Sequence, residues 1–503
     1  MFRISFKSDA KLVSFSSFSC VVYYLPEDKN LKENLLEFEK KFRIKLSELN
    51  KQNIRNKKNN QVILTNQNGK PDTLILHRFK VDEKFTVDYF RNHLAGLIKY
   101  LHKEEIKSLH IFIPQINSVK KYFDDEEYYY RTFLEGISLG NYRFDKYKKE
   151  KDKVRNLSVV FYSENEKVLK NAIAKNKIVI DGIFFTKDLQ NEPGSSLRPF
   201  ELADRIRDSL KATSLKITVF DEKEIQKRNM GGLLAVGKGS SAKPRFIVIE
   251  YKPKTKTSSS KKIALVGKGV TFDSGGYCVK PPQGMLEMKA DMSGAAVVAG
   301  TMLVASKANF PYEIVGIIPA AENMINGEAM RPGDIVKTAS GKTIEVGHTD
   351  AEGRMILADA LDYASKLKPD VILDFATLTG ACVVALGLNV AGIFTKYDFL
   401  AEELYKLGMK TYERVWRLPM WDEYHKANES KIADVNNDGG RWGGAITAAK
   451  FLENFVDKKI PWVHLDIAGP AVDNDLTNYN KTYMTGFGVR LMFEYLTGLV
   501  EEK

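Results

Sequence analysis

The sequence predicts an α/β protein of two domains, a smaller N-terminal one and a C-terminal one with a central mixed, largely parallel sheet. Three observations carry this. The chain has 503 residues, enough at about 150 residues per domain for more than one core. From about residue 190 onward, short apolar runs alternate with helical patterns, the signature of strands joined by crossover helices. Between the two regions, Val168, Leu169, Ala172, Ile173, Val179, Ile180 and Ile183 fall near helical spacing. The division expected is an N-terminal α/β domain over 1–164, a linker helix over 165–189 and a second domain over 190–503. The loop NEPGSS at 191–196 supports the second boundary, because Pro and Gly punctuate elements.

In the N-terminal region, IFIP at 111–114 and LSVVFY at 157–162 read as strands, and NIRNKKNNQ at 53–61 reads as a polar loop. Residues 11–25 mix serines with apolar residues and suit a strand better than a leader segment. In the second region the expected strands are IALVG (263–267), IVGIIP (314–319), VILDFA (371–376) and VHLDI (463–467). The expected helices are 294–308, 355–367 and 444–456, and KPKTKTSSSKK at 252–262 reads as an exposed basic loop.

Composition excludes several classes. Hydrophobic residues make up 44% and charged residues 28%, ordinary for a globular chain and unlike a collagenous, disordered or coiled-coil one. No apolar run reaches the roughly 18 residues of a membrane span. Cys20, Cys278 and Cys382 lie far apart, with no disulfide framework, which fits a reducing compartment. The net charge is +12, and most of the basic excess lies in residues 1–164, with 31 Lys and Arg against 22 Asp and Glu. Such a domain can attract nucleic acid, whereas the plainer reading is a solubilising lysine-rich face. No zinc-finger or helix-turn-helix spacing favours nucleic acid.

Polar residues gather at the ends of the apolar runs. The strand IALVG leads into VGKGVTFDSGGYCVK (266–280), which holds Lys268, Asp273 and Lys280. Asp291 stands in EMKADMSGAA (287–296), and GHTDAEGRM (347–355) holds Asp350, Glu352 and Arg354. Functional groups of open α/β sheets collect at strand C-termini. Four carboxylates there would repel one another unless cations neutralised them, and two divalent metals would do so. Such a pair defines a hydrolytic site, and oxygen-rich ligation suits Mg, Mn or Zn in a mixed site. The His-Glu-x-x-His peptidase motif is absent. Each segment taken singly also has a plainer reading. Thr349-x-x-Glu352 matches a capping box, Asp273-Ser-Gly-Gly a turn, and Asp291 a carboxylate at a helix start. Lys268, Lys280 and Arg354 taken alone suit a solvated surface.

The combined segments resemble the leucyl aminopeptidase family, the cytosol aminopeptidases (M17). The family signature N-T-D-A-E-G-R stands here as H-T-D-A-E-G-R at 348–354. Further matching blocks are VGKGVTFDSGG, MKADMSGAA, RPGDIVKTASGKTIEV (331–346), DFATLTGACVVALG (374–387), ADVNNDGGRWGGAITAAKFLE (433–453) and HLDIAGP (464–470). The match runs from about 188 to 495. It implies that 190–503 is a catalytic metallopeptidase domain.

The resemblance implies two divalent metal ions, Zn and/or Mn, held by Lys268, Asp273, Asp291, Asp350 and Glu352. Asp273 and Glu352 are expected to bridge, Lys268 and Asp291 to form the tighter site, and Asp350 the exchangeable one. A lysine ligand must be neutral, which two adjacent dications favour. Lys280 matches the catalytic lysine that stabilises the tetrahedral oxyanion. Arg354 matches the arginine that holds a bicarbonate acting as general base toward the bridging water. Met288, Thr377, Gly380 and Ala468 fall where the family builds its first side-chain pocket, and Leu378 where a backbone carbonyl meets the substrate. The implied activity is removal of N-terminal Leu, Met and other neutral residues from peptides, by a cytoplasmic homohexamer without membrane attachment. Two further readings are a DNA-binding or scaffolding role, supported by the basic N-terminal third, and a specialised Cys-Gly dipeptidase. One position departs from the signature, where its asparagine is His348.

Overall fold

A computed structural model describes the chain apart from residues 1, 10–18, 28–30, 43, 56–60, 66–72, 104–105, 151–152, 255–260 and 502–503. The start of the segment expected as a strand over 11–25, most of the polar loop over 53–61 and the middle of the basic loop over 252–262 therefore lie outside the described residues. The chain divides into two compact units, Met1–Ile180 and Asp181–Lys503. A helix over Glu166–Asn191 contains that boundary. Among the described residues, no helix is long and apolar enough to cross a membrane.

In the first unit, six described strands form one sheet. Their spatial order is Phe2–Ser8, Arg155–Tyr162, Ser108–Phe112, Ser19–Pro26, Thr73–Phe79 and Gln61–Thr65. Both faces are covered, as the apolar character of Ser19–Pro26 requires of a central strand. Val22 and Tyr24 join a core with Phe90, Leu94, Phe133 and Ile137 of the helices Tyr89–Leu101 and Glu126–Asn141. Val21 and Leu25 join a separate core with Leu35, Phe38 and Phe42 of the helix Leu31–Phe42.

In the second unit, nine described strands form a mixed sheet. Eight run in the order Val415–Arg417, Ala391–Phe394, Trp462–Asp466, Val371–Ala376, Lys262–Gly267, Glu313–Asn323, Arg245–Tyr251 and Lys216–Phe220, and Gly269–Asp273 pairs beside Glu313–Asn323. The centre is parallel from Trp462–Asp466 through Val371–Ala376 and Lys262–Gly267 to Glu313–Asn323. Antiparallel pairing begins on either side, at Arg245–Tyr251 and at Ala391–Phe394. The four apolar runs expected as strands are these four central strands.

Two helices pack across the same central strands. The helix Glu352–Lys366 shares a core with Ala264, Val266, Ile317 and Ile372. The helix Ser293–Ala308 packs on the same strands outside that core. It is buried on nearly every side, so its sequence is apolar all round and lacks an amphipathic stripe. Parallel strands sandwiched in this way point their carboxyl ends at one edge of the sheet, where loops are free to carry function.

Candidate active site

The candidate residues stand at that edge. Lys268 immediately follows the strand Lys262–Gly267, and Asp273 ends Gly269–Asp273. Thr377, Leu378 and Thr379 follow Val371–Ala376, and Ala468 lies two residues beyond Trp462–Asp466. Asp291 sits in the short 3₁₀ helix Leu286–Met292 that leads into Ser293–Ala308. Asp350 precedes the helix Glu352–Lys366, and Glu352 is its first residue.

Two lysines divide the acids between them. Lys268 Nζ lies 2.8 Å from Asp291 Oδ1 and 3.0 Å from Glu352 Oε1, and donates to the Thr377 carbonyl at 2.9 Å. Lys280 Nζ lies 2.8 Å from Asp273 Oδ2 and 2.5 Å from Asp350 Oδ1. Oxygens of Asp273, Asp350 and Glu352 all fall within 4.8 Å of one another. Lys268, Asp273, Asp291 and Glu352 are buried, and Asp350 and Lys280 are partly so. The surface reading of Lys268 is thereby excluded.

The electrostatics report an excess of negative charge. Burial opposes the Lys268 charge, but Asp291, Glu352 and Asp273 outweigh it and hold the ammonium above its usual range. Lys280 is likewise raised, with burial outweighed by Asp273 and Glu352. Four carboxylates nevertheless share these two ammonium groups, with the Arg354 guanidinium acting on Glu352 and Asp350 from beside them. Burial, with the charges of Asp273 and Glu352, pushes the Asp350 carboxyl up to about 7. Burial raises Asp291 well above the usual carboxylate range, although Lys268 opposes it. Asp291 Oδ2 is also buried without a hydrogen-bond partner. Close, buried oxygens with surplus negative charge and an unused acceptor suit hard divalent cations. The donor set therefore fits a pair of metal ions.

Arg354 stands beside this cluster. Its Nη1 donates to the Asn437 carbonyl at 2.6 Å, while its buried Nε–H has no acceptor. A guanidinium with a buried, unpaired donor suits a small anion.

The loops are fixed by residues that the motif reading left without a role. Asn323 Nδ2 donates to Asp273 Oδ1 at 2.8 Å and to the Thr349 carbonyl at 3.1 Å. Asp466 Oδ1 accepts from the Leu378 and Ala468 amides, and its Oδ2 accepts from the Thr379 hydroxyl. Asn437 Oδ1 accepts from the Gly347 and His348 amides, and its Nδ2 donates to the His348 and Ala351 carbonyls. Asn437 and Asp466 had a sequence signal in their place inside the matching blocks, whereas Asn323 lies outside every one of those blocks. Asn437 and these partners are more than 80 residues apart, as are Asp466 and its partners Leu378 and Thr379, and the partners of Asn323 lie 26 and 50 away, so no local pattern announces these bonds; only the Asp466–Ala468 bond is local.

The plainer readings resolve differently. No capping box forms, because Thr349 Oγ1 donates to the Gly275 carbonyl and accepts from the Cys278 amide. Asp291 does not cap the following helix. Its Oδ1 instead meets Lys268 and the Thr377 hydroxyl at 2.8 Å. Asp273 does make a turn, accepting from the Gly275 amide, and Gly275 and Gly276 take φ of +86° and +64°, which L side chains avoid. The turn reading and the site reading are both satisfied there.

Of the residues expected to meet the substrate, Thr377, Leu378 and Ala468 are tied to the cluster through Asp291, Lys268 and Asp466. Met288 is half-buried on the short helix that carries Asp291. Gly380 is exposed, and a Cβ there would meet nothing within 4 Å.

Gly353 supplies a test of how tightly Lys268 is held. A Cβ at this position would lie 2.5 Å from Lys268 Cε and 2.6 Å from Nζ. The obstacle is the end of a side chain, so Gly353→Ala is expected to fold but to displace the ammonium from Asp291 and Glu352. Turnover should fall at least about tenfold, since small misplacements in a site are costly. A fully active Gly353→Ala protein would show that the position of Lys268 is unimportant.

This combination defines an α/β protein with a lysine- and carboxylate-lined site at the carboxyl edge of a mixed sheet. The model of the cytosol aminopeptidase family catalytic domain matches residues 184–493, and that of the family's N-terminal domain matches 21–151. The chain belongs to the cytosol aminopeptidase family, and with it to the aminopeptidases. It is 46% identical to a probable cytosol aminopeptidase of Aquifex aeolicus, with 82% of each chain covered. It is 50% identical to one of Chlorobaculum tepidum, covering 73% of this chain and 74% of the relative. Among solved structures, a mutant of tomato leucine aminopeptidase matches with a TM-score of 0.84 at 30% identity, covering 98% of this chain and 96% of the other. The bottromycin maturation enzyme BotP, also solved in complex with Mn, matches with a TM-score of 0.81 at 30% identity over 96% of this chain and 99% of its own.

Proposed function

We propose that this chain is a leucyl-type metallo-aminopeptidase that removes Leu, Met and other neutral N-terminal residues from peptides with a free α-amine. The observation that carries the reading is the gathering of four carboxylates with Lys268 and Lys280 at one edge of the sheet. Lys268, Asp273, Asp291, Asp350 and Glu352 would hold two divalent ions, zinc and/or manganese. When bound, such a pair polarises the scissile carbonyl, lowers the pKa of water and orients the substrate. The likeness to leucine aminopeptidase, and to an enzyme solved with Mn, supports this choice.

The remaining steps fall to the chain's own groups. Lys280 keeps its charge and directs it at the oxygen that becomes anionic in the transition state, where a fixed donor is most effective. Arg354 uses its unpaired Nε–H to hold a bicarbonate ion, the base that no side chain among the motifs provides. Met288, Thr377, Gly380 and Ala468 receive the first side chain, and the Leu378 carbonyl faces the substrate backbone. The family layout supports a homohexamer in the cytoplasm.

The test compares leucine p-nitroanilide with its N-acetylated analogue. Cleavage of the free-amine substrate alone is the expected result. Equal cleavage of both would contradict anchoring through the amine.

A further inference from the structure

We infer that His348 is a positioning residue whose imidazole Nδ1 fixes the backbone of Asp350, doing there what an amide oxygen does in an Asx turn. This inference concerns the same site and rests on its being the reaction centre.

The loop from Gly347 to Ala351 delivers Asp350 and Glu352 to the acid cluster. Much of its backbone is tied down from outside. Asn437 binds the Gly347 and His348 amides and the His348 and Ala351 carbonyls, and Asn323 binds the Thr349 carbonyl. The Ala351 amide closes onto the His348 carbonyl at 3.2 Å. The Asp350 amide is served from within the loop, donating to His348 Nδ1 at 3.2 Å. Nδ1 accepts this bond through its lone pair.

The bond has the topology of an Asx turn, in which a side-chain acceptor takes the amide two residues ahead. The acceptor of an asparagine is Oδ1, and that of histidine is Nδ1. Both are separated from Cα by the same number of bonds. Histidine can therefore replace asparagine here without moving the loop, whereas glutamine carries its oxygen one bond further out and phenylalanine has no acceptor. The departure at position 348 thus preserves the function of the replaced group.

The test uses the full-length protein as wild type and as His348→Asn, His348→Gln and His348→Phe. Hydrogen exchange over peptides spanning residues 347–352 reads the Asp350 amide without depending on activity. Steady-state hydrolysis of leucine p-nitroanilide, after loading with Mn, reads the consequence. The inference expects His348→Asn to keep both the protection and the turnover of the wild type. His348→Gln and His348→Phe should lose protection at one amide, and kcat should fall about tenfold or more while KM changes less. Thermal midpoints close to wild type would identify this as a local effect. Protection and turnover retained in His348→Phe would overturn the inference, as would loss of both in His348→Asn. If the wild type cleaved nothing, the functional reading would fail while the exchange data still decided the role of His348.

Discussion

Asp273→Ala is expected to abolish hydrolysis and to lower the metal content of the chain. Asp273 is buried, lies within 4.8 Å of the Asp350 and Glu352 oxygens and pairs with Lys280 at 2.8 Å. Its turn is held by Asn323 and the Gly275 amide, so its carboxylate cannot be replaced by rearrangement of a neighbour. A metal supplies several kcal/mol of transition-state stabilisation, and each 1.36 kcal/mol is tenfold in rate. Activity should therefore fall by about 10³-fold or more. Elemental analysis of purified, reloaded protein should show fewer ions per chain than in the wild type. Unchanged metal content with normal turnover would remove Asp273 from the ligand set.

Lys280→Ala is expected to separate binding from chemistry. The lysine is only partly buried and lies on a loop, and its ammonium is kept charged by Asp273 and Glu352 against the opposing effect of burial. Removing one donor from a developing oxyanion costs about 10²–10³ in kcat. Metal content should stay near wild type, because all five proposed ligands remain. A loss of metal as large as in Asp273→Ala would show that Lys280 acts as a ligand or as an organiser of ligands.

Much of this architecture was legible before any coordinates. The central strands announced themselves as apolar runs because both of their faces are covered. The carboxylates were legible as a group through the family blocks, since Asp273 ends a strand whereas Asp291, Asp350 and Glu352 stand just before or at the start of a helix. Less legible was what holds them. Asp466 and Asn437 act across the fold, and their bonds follow from which strand ends adjoin, a property of topology rather than of local sequence. The helix start at Glu352 also escaped the apolar pattern, which placed it three residues later. Its first turn holds Glu352, Gly353 and Arg354, where the site replaces the usual apolar stripe. The capping box failed for a related reason, since the Thr349 hydroxyl was already engaged by the turn that carries Asp273.

The central claim is that the acid and lysine cluster holds a pair of divalent ions on which peptide hydrolysis depends. The most direct measurement titrates chelated protein with Mn or Zn and follows bound ions per chain and leucine p-nitroanilide hydrolysis in the same samples. The account predicts no turnover at zero occupancy and activity that rises to its maximum as occupancy approaches two. Full hydrolysis by the chelated, metal-free chain would contradict it, as would saturation at two ions with no cleavage of any free-amine peptide.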